Sequence, residues 1–241
     1  MKNERKIDLR YVPPVKGIDL EQALNYLEVK PGTVGFFYNE YTSKRTFYRK
    51  GSRAKLERIV ERIAGGISRK ERQVEALARF VSTRVPWAGY YEKKTGSLLP
   101  AGRALAEEEI IESGFGWCNE QARVLCALTQ ICGISSRLVF ACNPRTRYGH
   151  TITEVLLPQG WMAVDQSLGY CFKMGNLPIR AWDLNRGQPM SGHFSPIYKN
   201  LCKKLISELG GTIVGRSFSM GASRNPLNGF DSIGVCNYFI H

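Results

Sequence analysis

The chain has 241 residues, 43% of them hydrophobic and 23% charged, a composition that excludes extended disorder and suits one large domain or two small ones. No apolar run approaches the roughly 20 residues that a membrane-spanning helix requires, and the basic start Met1-Lys2-Asn3-Glu4-Arg5-Lys6 has no apolar stretch behind it, which argues against a secretory signal. The net charge of +13 is concentrated in residues 1–100, which carry 21 Lys and Arg against 11 Asp and Glu, compared with 13 against 10 in the remainder.

In chain order, Ile18 to Leu27 has helical apolar spacing, and Val34-Gly35-Phe36-Phe37-Tyr38 reads as a strand. Ser52 to Ala64 is an amphipathic helix with Leu56, Ile59, Val60 and Ile63 on one face, stopped by Gly65-Gly66. Ser68-Arg69-Lys70-Glu71 has the form of a capping box and opens a second helix, whose stripe is Val74, Leu77, Ala78, Val81 and Val85 and which Pro86 ends. Residues 87–103 read as a loop, Arg103 to Ile111 as a short helix, and Ser113 to Gly116 as a turn. Cys118 to Cys132 is helical and closed by Gly133. Ile134 to Ala141 is strand-like, and Asn143 to Gly149 is a loop. Thr151 to Leu157 and Trp161 to Asp165 are strands joined through Pro158-Gln159-Gly160 as a hairpin. Tyr198 to Leu209 reads as a basic helix, and Gly210 to His241 is rich in glycine and serine. No internal repeat and no long linker divides the chain, so we expect a single domain over residues 1–241.

The densest cationic stretch, Lys44 to Arg72, suits either an acidic protein, nucleic acid or anionic membrane, or simply a solvated helix face. No nucleic-acid motif accompanies it, which favours the solvated face and makes nucleic acid and membrane unlikely partners. Seven cysteines cannot all pair within the chain, and their spacing shows no C-x-x-C and no zinc-type cluster. They read as reduced thiols of a cytoplasmic protein, with no metal and no cofactor expected.

Three residues carry chemistry in combination: Cys118 in Gly116-Trp117-Cys118-Asn119-Glu120-Gln121-Ala122, His150 in Gly149-His150-Thr151, and Asp165 in Trp161-Met162-Ala163-Val164-Asp165. A thiol becomes a nucleophile when a helix N-terminus and an adjacent imidazolium favour its anion. Cys118 opens a helix, and the unpaired N–H groups there also suit an oxyanion. If Val155 opposes Gly160 across the hairpin, His150 faces Asp165 directly. If Leu157 opposes Gly160, Asp165 sits at the level of Ile152, still on that face. An odd shift separates the two. Glu154 alternates onto the face of His150, where it could polarise the site, but it reads first as a satisfied surface or inter-strand carboxylate. His193 and His241 have no comparable setting and read as structural or surface residues, and the glycines at Gly210-Gly211 and Gly215 lack the companions of a phosphate loop.

These segments, with Gly133 to Val139, His150 to Val155 and the helix from Ser68 that ends at Pro86-Trp87, resemble the transglutaminase-like superfamily, whose members have a papain-like cysteine-protease core. The resemblance covers residues 68–170. It implies an α+β fold in which a helix carrying the cysteine packs on an antiparallel sheet carrying the histidine and aspartate, with residues 1–67 and 171–241 as extensions. It implies Cys118 as nucleophile, His150 as base, Asp165 as orienting acid, and an upstream aromatic completing the oxyanion hole, for which Trp87 is the candidate and Tyr90 or Tyr91 the next. The chain is too short for the calcium-dependent multidomain animal enzymes and lacks the cysteine pairs of the peptide N-glycanase branch. The expected activity is acyl transfer on amide bonds of a protein, peptide or small amide through a thioester, with peptide or isopeptide hydrolysis preferred over cross-linking or small-molecule amide formation. A non-catalytic module using the basic face, and a nucleic-acid protein with an incidental triad, are the readings from other classes.

Overall fold

Alternation of residues 151–157 and 161–165 with period two is realised at the centre of a six-stranded antiparallel sheet. The structure is a computed structural model that describes residues 27–41, 44–96, 105–143, 148–185 and 232–240. The sheet comprises β1 (Leu27–Glu28), β2 (Ser136–Asn143), β3 (Tyr148–Leu157), β4 (Gly160–Asp165), β5 (Tyr170–Cys171) and β8 (Ser232–Asn237) in the order β1-β8-β2-β3-β4-β5. A two-stranded hairpin, β6 (Lys173–Met174) and β7 (Leu177–Pro178), follows β5. The Gly- and Ser-rich C-terminal segment thus supplies a strand between β1 and β2.

Helices cover both faces of the sheet. One face carries α2 (Ala54–Ala64), α3 (Lys70–Arg84), α5 (Glu107–Ser113) and α6 (Cys118–Ile131). Their Leu56, Val60, Val74, Leu77, Val81, Ile110, Val124, Leu125 and Leu128 pack with Val155, Leu157, Met162 and Val164 of the sheet. Helix α6 is buried from Cys118 to Gln130, as the central helix of this layer. The opposite face packs Ile152, Trp161 and Ala163 against α1 (Val34–Asn39) and α7 (Ala181–Asn185). The stripe expected on α3 is buried, and on α2 Leu56 and Val60 are buried while Ile59 and Ile63 are partly buried against the same core.

Three local expectations are corrected. Val34–Asn39 is helical, not a strand. A run of aromatics has no informative period, and tertiary contacts decide it: Phe37 packs on Tyr41 at 5.4 Å, the Phe37 carbonyl accepts from Arg137 at 2.6 Å, and the Tyr38 hydroxyl donates to Glu154 at 2.8 Å. Within the expected loop 87–103, residues Ala88–Thr95 form helix α4, ended by Gly96 in the left-handed region at φ 70°. The Ser68 capping box does not form. Arg69 is the N-cap and offers no side-chain cap, because the Glu71 carboxylate is taken by Lys173 of β6 at 2.5 Å. The proposed helices 18–27 and 198–209, the glycines at 210–215, His193 and His241 lie outside the described residues, save Leu27, which is in β1.

Some cations of the Lys44–Arg72 stretch have acidic partners. Arg53 pairs with Glu107 at 2.7 Å and with Glu108, Lys55 with Glu112 at 2.7 Å, and Arg72 with Glu75 at 2.8 Å. Among the described residues no helix is long and apolar enough to cross a membrane.

Glu154 is wholly buried on the face of His150 but is spent structurally. Its carboxylate pairs with buried Arg137 at 2.7 Å and accepts from Tyr38 and from the Ala181 N–H at 2.7 Å. The Arg137 guanidinium lies between the rings of Tyr38 and Trp161, 4.7 and 4.4 Å from their centroids. Removing one partner of a buried pair strands the other, so Glu154→Ala is expected to lower unfolding stability by about 3–5 kcal/mol. Urea denaturation measures it, and a loss below about 1 kcal/mol would contradict the pairing.

Candidate active site

The three sequence-predicted residues converge. The β3–β4 hairpin adopts the tighter of the two registers that keep Asp165 on the face of His150: Leu157 opposes Gly160 and Val155 opposes Met162, which replaces the expected Val155–Gly160 pairing. Gly160, at φ 126°, closes the two-residue turn in a conformation suited to glycine. In continuation of this register Asp165 stands at the level of Ile152, diagonal to His150. The imidazole bridges that offset, with Nε2 at 3.0 Å from Asp165 Oδ2. Asp165 is fully buried, and its Oδ1 accepts the Ser167 N–H at 3.0 Å.

Cys118 opens α6. The first helical bond runs from the Gln121 N–H to the Trp117 carbonyl at 3.0 Å. Trp117 has no side-chain oxygen to offer the first turn, so the cap is one-sided: the Glu120 carboxylate accepts the Trp117 N–H at 3.1 Å. The N–H groups of Cys118, Asn119 and Glu120 therefore have no partner within the helix. The Cys118 thiol is close enough to the His150 imidazole to raise its pKa, and with Nε2 held by Asp165, Nδ1 is the nitrogen that remains for it.

Burial alone would push His150 downward. The Asp165 charge and hydrogen bond, reinforced by Cys118, outweigh it and raise the imidazole from its ordinary 6.5 to about 10. The imidazole is thus protonated at neutral pH.

Trp87 reaches the same corner by a different route. Its backbone bridges Gly116, with the Ala88 N–H donating to the Gly116 carbonyl at 2.9 Å. Its indole meets that of Trp117 edge-on at 5.7 Å. Among the described residues no acceptor takes the Trp87 indole N–H. Tyr90 and Tyr91 lie on α4.

Sequence reasoning missed the residues that frame the three. The Ser167 hydroxyl donates to Gln121 Oε1 at 2.5 Å, and Gln121 Nε2 donates to the Val85 carbonyl at 2.6 Å, which links the Asp165 turn to α6 and to the end of α3. Gln166, buried, bonds the Cys118 and Thr151 carbonyls. Nothing periodic marks these polar residues. Only the Gln121 position, inside the cysteine motif, offered a signal. Among the described residues no group of three or more His, Cys, Asp or Glu is placed to hold a metal ion.

Residues 57–166 match the model of the Transglutaminase-like superfamily. That stretch contains Cys118, His150 and Asp165, and it starts earlier than the resemblance alone suggested. A search of curated proteins finds no match. Among solved structures, similarity extends to a protein proposed to be a cysteine protease from Cytophaga hutchinsonii (17% identity over 58% of this chain and 43% of that one, TM-score 0.39). It extends also to a proposed protease from Parabacteroides distasonis (8% identity, 49% and 27%, TM-score 0.35) and to a TGase (19% identity, 60% and 36%, TM-score 0.39). The aligned region is less than half the length of each of these chains.

The raised His150 pKa fixes a pH dependence. A group whose folded pKa lies above its unfolded one contributes stability that is complete below about 6.5 and lost as pH rises through about 10. Imidazole NMR of the wild type, with His150→Gln for assignment, is expected to show His150 charged through neutral pH. In Asp165→Asn the midpoint is expected to fall toward or below 6.5. A wild-type midpoint at or below 6.5 would rule out the ion-paired state.

Proposed function

We propose that the chain is a cysteine-dependent amide hydrolase acting through a thioester on Cys118, with peptide or isopeptide bonds as its substrate class. The observation that carries this reading is the His150 imidazole, 3.0 Å from the buried Asp165 carboxylate and beside the thiol at the opening of α6. The family match over residues 57–166 supports the coarser statement, a cysteine-dependent hydrolase or acyltransferase.

His150 enters charged, so the Cys118 sulfur acts as the thiolate partner of the imidazolium and adds to the substrate carbonyl carbon while the π electrons move to oxygen. The N–H groups of the first turn of α6 face that oxyanion, with the Trp87 indole N–H as a further donor. Collapse restores the carbonyl and breaks the C–N bond, and His150 gives its proton to the departing amine. Water, deprotonated by His150, then adds to the thioester. The C–S bond breaks, the sulfur leaves as thiolate beside the His150 imidazolium, and the acid departs. Asp165 holds the tautomer and stabilises the imidazolium throughout. An amine in place of water gives transfer instead of hydrolysis, which requires a site that excludes water.

Burial pushes the Cys126 thiol up to about 12 and those of Cys132 and Cys236 up to about 11, and raises Cys171 further. Iodoacetamide at neutral pH is therefore expected to modify Cys118 ahead of these four, as read by peptide mapping. Intact mass spectrometry with a peptide and small-amide library is expected to trap an acyl adduct on the wild type and none on Cys118→Ala. Labelling of another described thiol with Cys118 untouched would sink the reading. Trp87→Phe keeps the ring contact but removes the donor, and should lower kcat by about a hundredfold with KM little changed. An unchanged kcat would remove Trp87 from the oxyanion hole.

A further inference from the structure

We infer that Gln166 is a positioning residue that keys helix α6 to the strand carrying His150, and that the Cys118–His150 contact depends on its carboxamide. The inference rests on the thiol–imidazole reading above and extends it to a residue outside the three.

Gln166 is fully buried, so no bulk water can substitute for its bonds. Its Nε2 has two hydrogens, and both are used. One goes to the Cys118 carbonyl at 3.0 Å and the other to the Thr151 carbonyl at 2.8 Å. Its Oε1 accepts the Thr153 hydroxyl at 3.3 Å. The two carbonyls belong to Cys118 itself and to the neighbour of His150, and Gln166 follows Asp165 in the chain. One side chain therefore touches all three segments that carry the proposed chemistry.

The thiol and the imidazole sit on different elements, a helix end and a strand, and nothing covalent fixes their separation. The hydrogen-bonded ladder between β3 and β4 runs out at Thr153 with Val164, and beyond it the Gln166 carboxamide joins the chain to Thr151. The Thr153 hydroxyl also reaches α6, at the Ala122 carbonyl and 3.4 Å, but that tie lies a turn beyond the sulfur. Only a carboxamide of this length supplies two donors and an acceptor at once. Glutamate would set oxygen against two carbonyls, and methionine would fill the space without donating.

The test compares full-length wild type, Gln166→Met and His150→Ala for the rate of iodoacetamide alkylation at Cys118, by peptide mapping from about pH 5 to about pH 9. The wild type is expected to react readily toward the acid end in a His150-dependent manner. Gln166→Met is expected to lose about tenfold or more of that rate near pH 6, to regain it as pH rises through the ordinary thiol range, and to keep a cooperative melt. A Gln166→Met profile that superimposes on the wild type, while His150→Ala differs, overturns this inference and leaves the functional reading standing. Identical profiles for wild type and His150→Ala overturn both. A second measurement needs no variant to fold: the Gln166 carboxamide protons of the wild type should exchange slowly by NMR, and exchange at the rate of a free amide overturns the inference.

Discussion

A carboxylate with no access to water must be neutralised where it stands, and Asp165 is such a carboxylate. Its two oxygens meet the His150 imidazole and the Ser167 N–H. The imidazole therefore takes its charge from the fold before any substrate arrives, against a desolvation that acts the other way. That pairing sets the requirement for everything around it. The β3–β4 hairpin must hold an even register, the turn at residues 158–159 must be tight, and the N-terminal end of α6 must arrive at the second nitrogen. A charged imidazole with one nitrogen committed has a single direction left in which to act, and the thiol lies there.

The strand carrying His150 is held from both sides of the sheet. Ala141 of β2 pairs with His150 on one side and with Ile233 of β8 on the other. The line from β8 through β2 to β3 runs from near the C-terminus to the site, and β8 lies outside the stretch 57–166 that matches the superfamily. The same holds for Tyr38 of α1 and for Ala181 of α7, which complete the coordination of Glu154 two residues along β3 from Ile152. Residues at both ends of the chain thus fix the backbone on which His150 is placed.

The site was legible in the sequence wherever a local signal coincided with a chemical one. Cys118 follows a glycine turn at the head of an apolar-periodic helix, and His150 and Asp165 sit on strands whose alternation restricts them to one face or the other. Hairpin register was not legible, because both even registers satisfy the alternation and only the turn chooses between them. The helices at 34–39 and 88–95 escaped notice for a related reason. Neither has an amphipathic stripe, and each is set by distant partners, the Arg137–Glu154 pair for the first and the Trp87–Gly116 bridge next to the second. At Ser68 a sound local signal lost to a distant one, since Lys173 claimed the carboxylate the cap required.

The two buried polar clusters on this sheet differ in how fully they are satisfied, and the difference bears on where function sits. Around Arg137 and Glu154, guanidinium, carboxylate, phenol and backbone close on one another, with aromatic rings above and below. Such a cluster specifies one packing of α1 and α7 against the sheet. The first turn of α6 is left incomplete: both ends of the buried Asn119 amide and one Glu120 oxygen meet no partner among the described residues. A buried polar atom without a partner costs about 1–3 kcal/mol. On the Arg137–Glu154 side the one such atom, Arg137 Nη2, is still ion-paired with Glu154 at 2.7 Å, whereas the atoms beside Cys118 lack even that, and departures of this kind concentrate at functional sites rather than where a protein only holds shape.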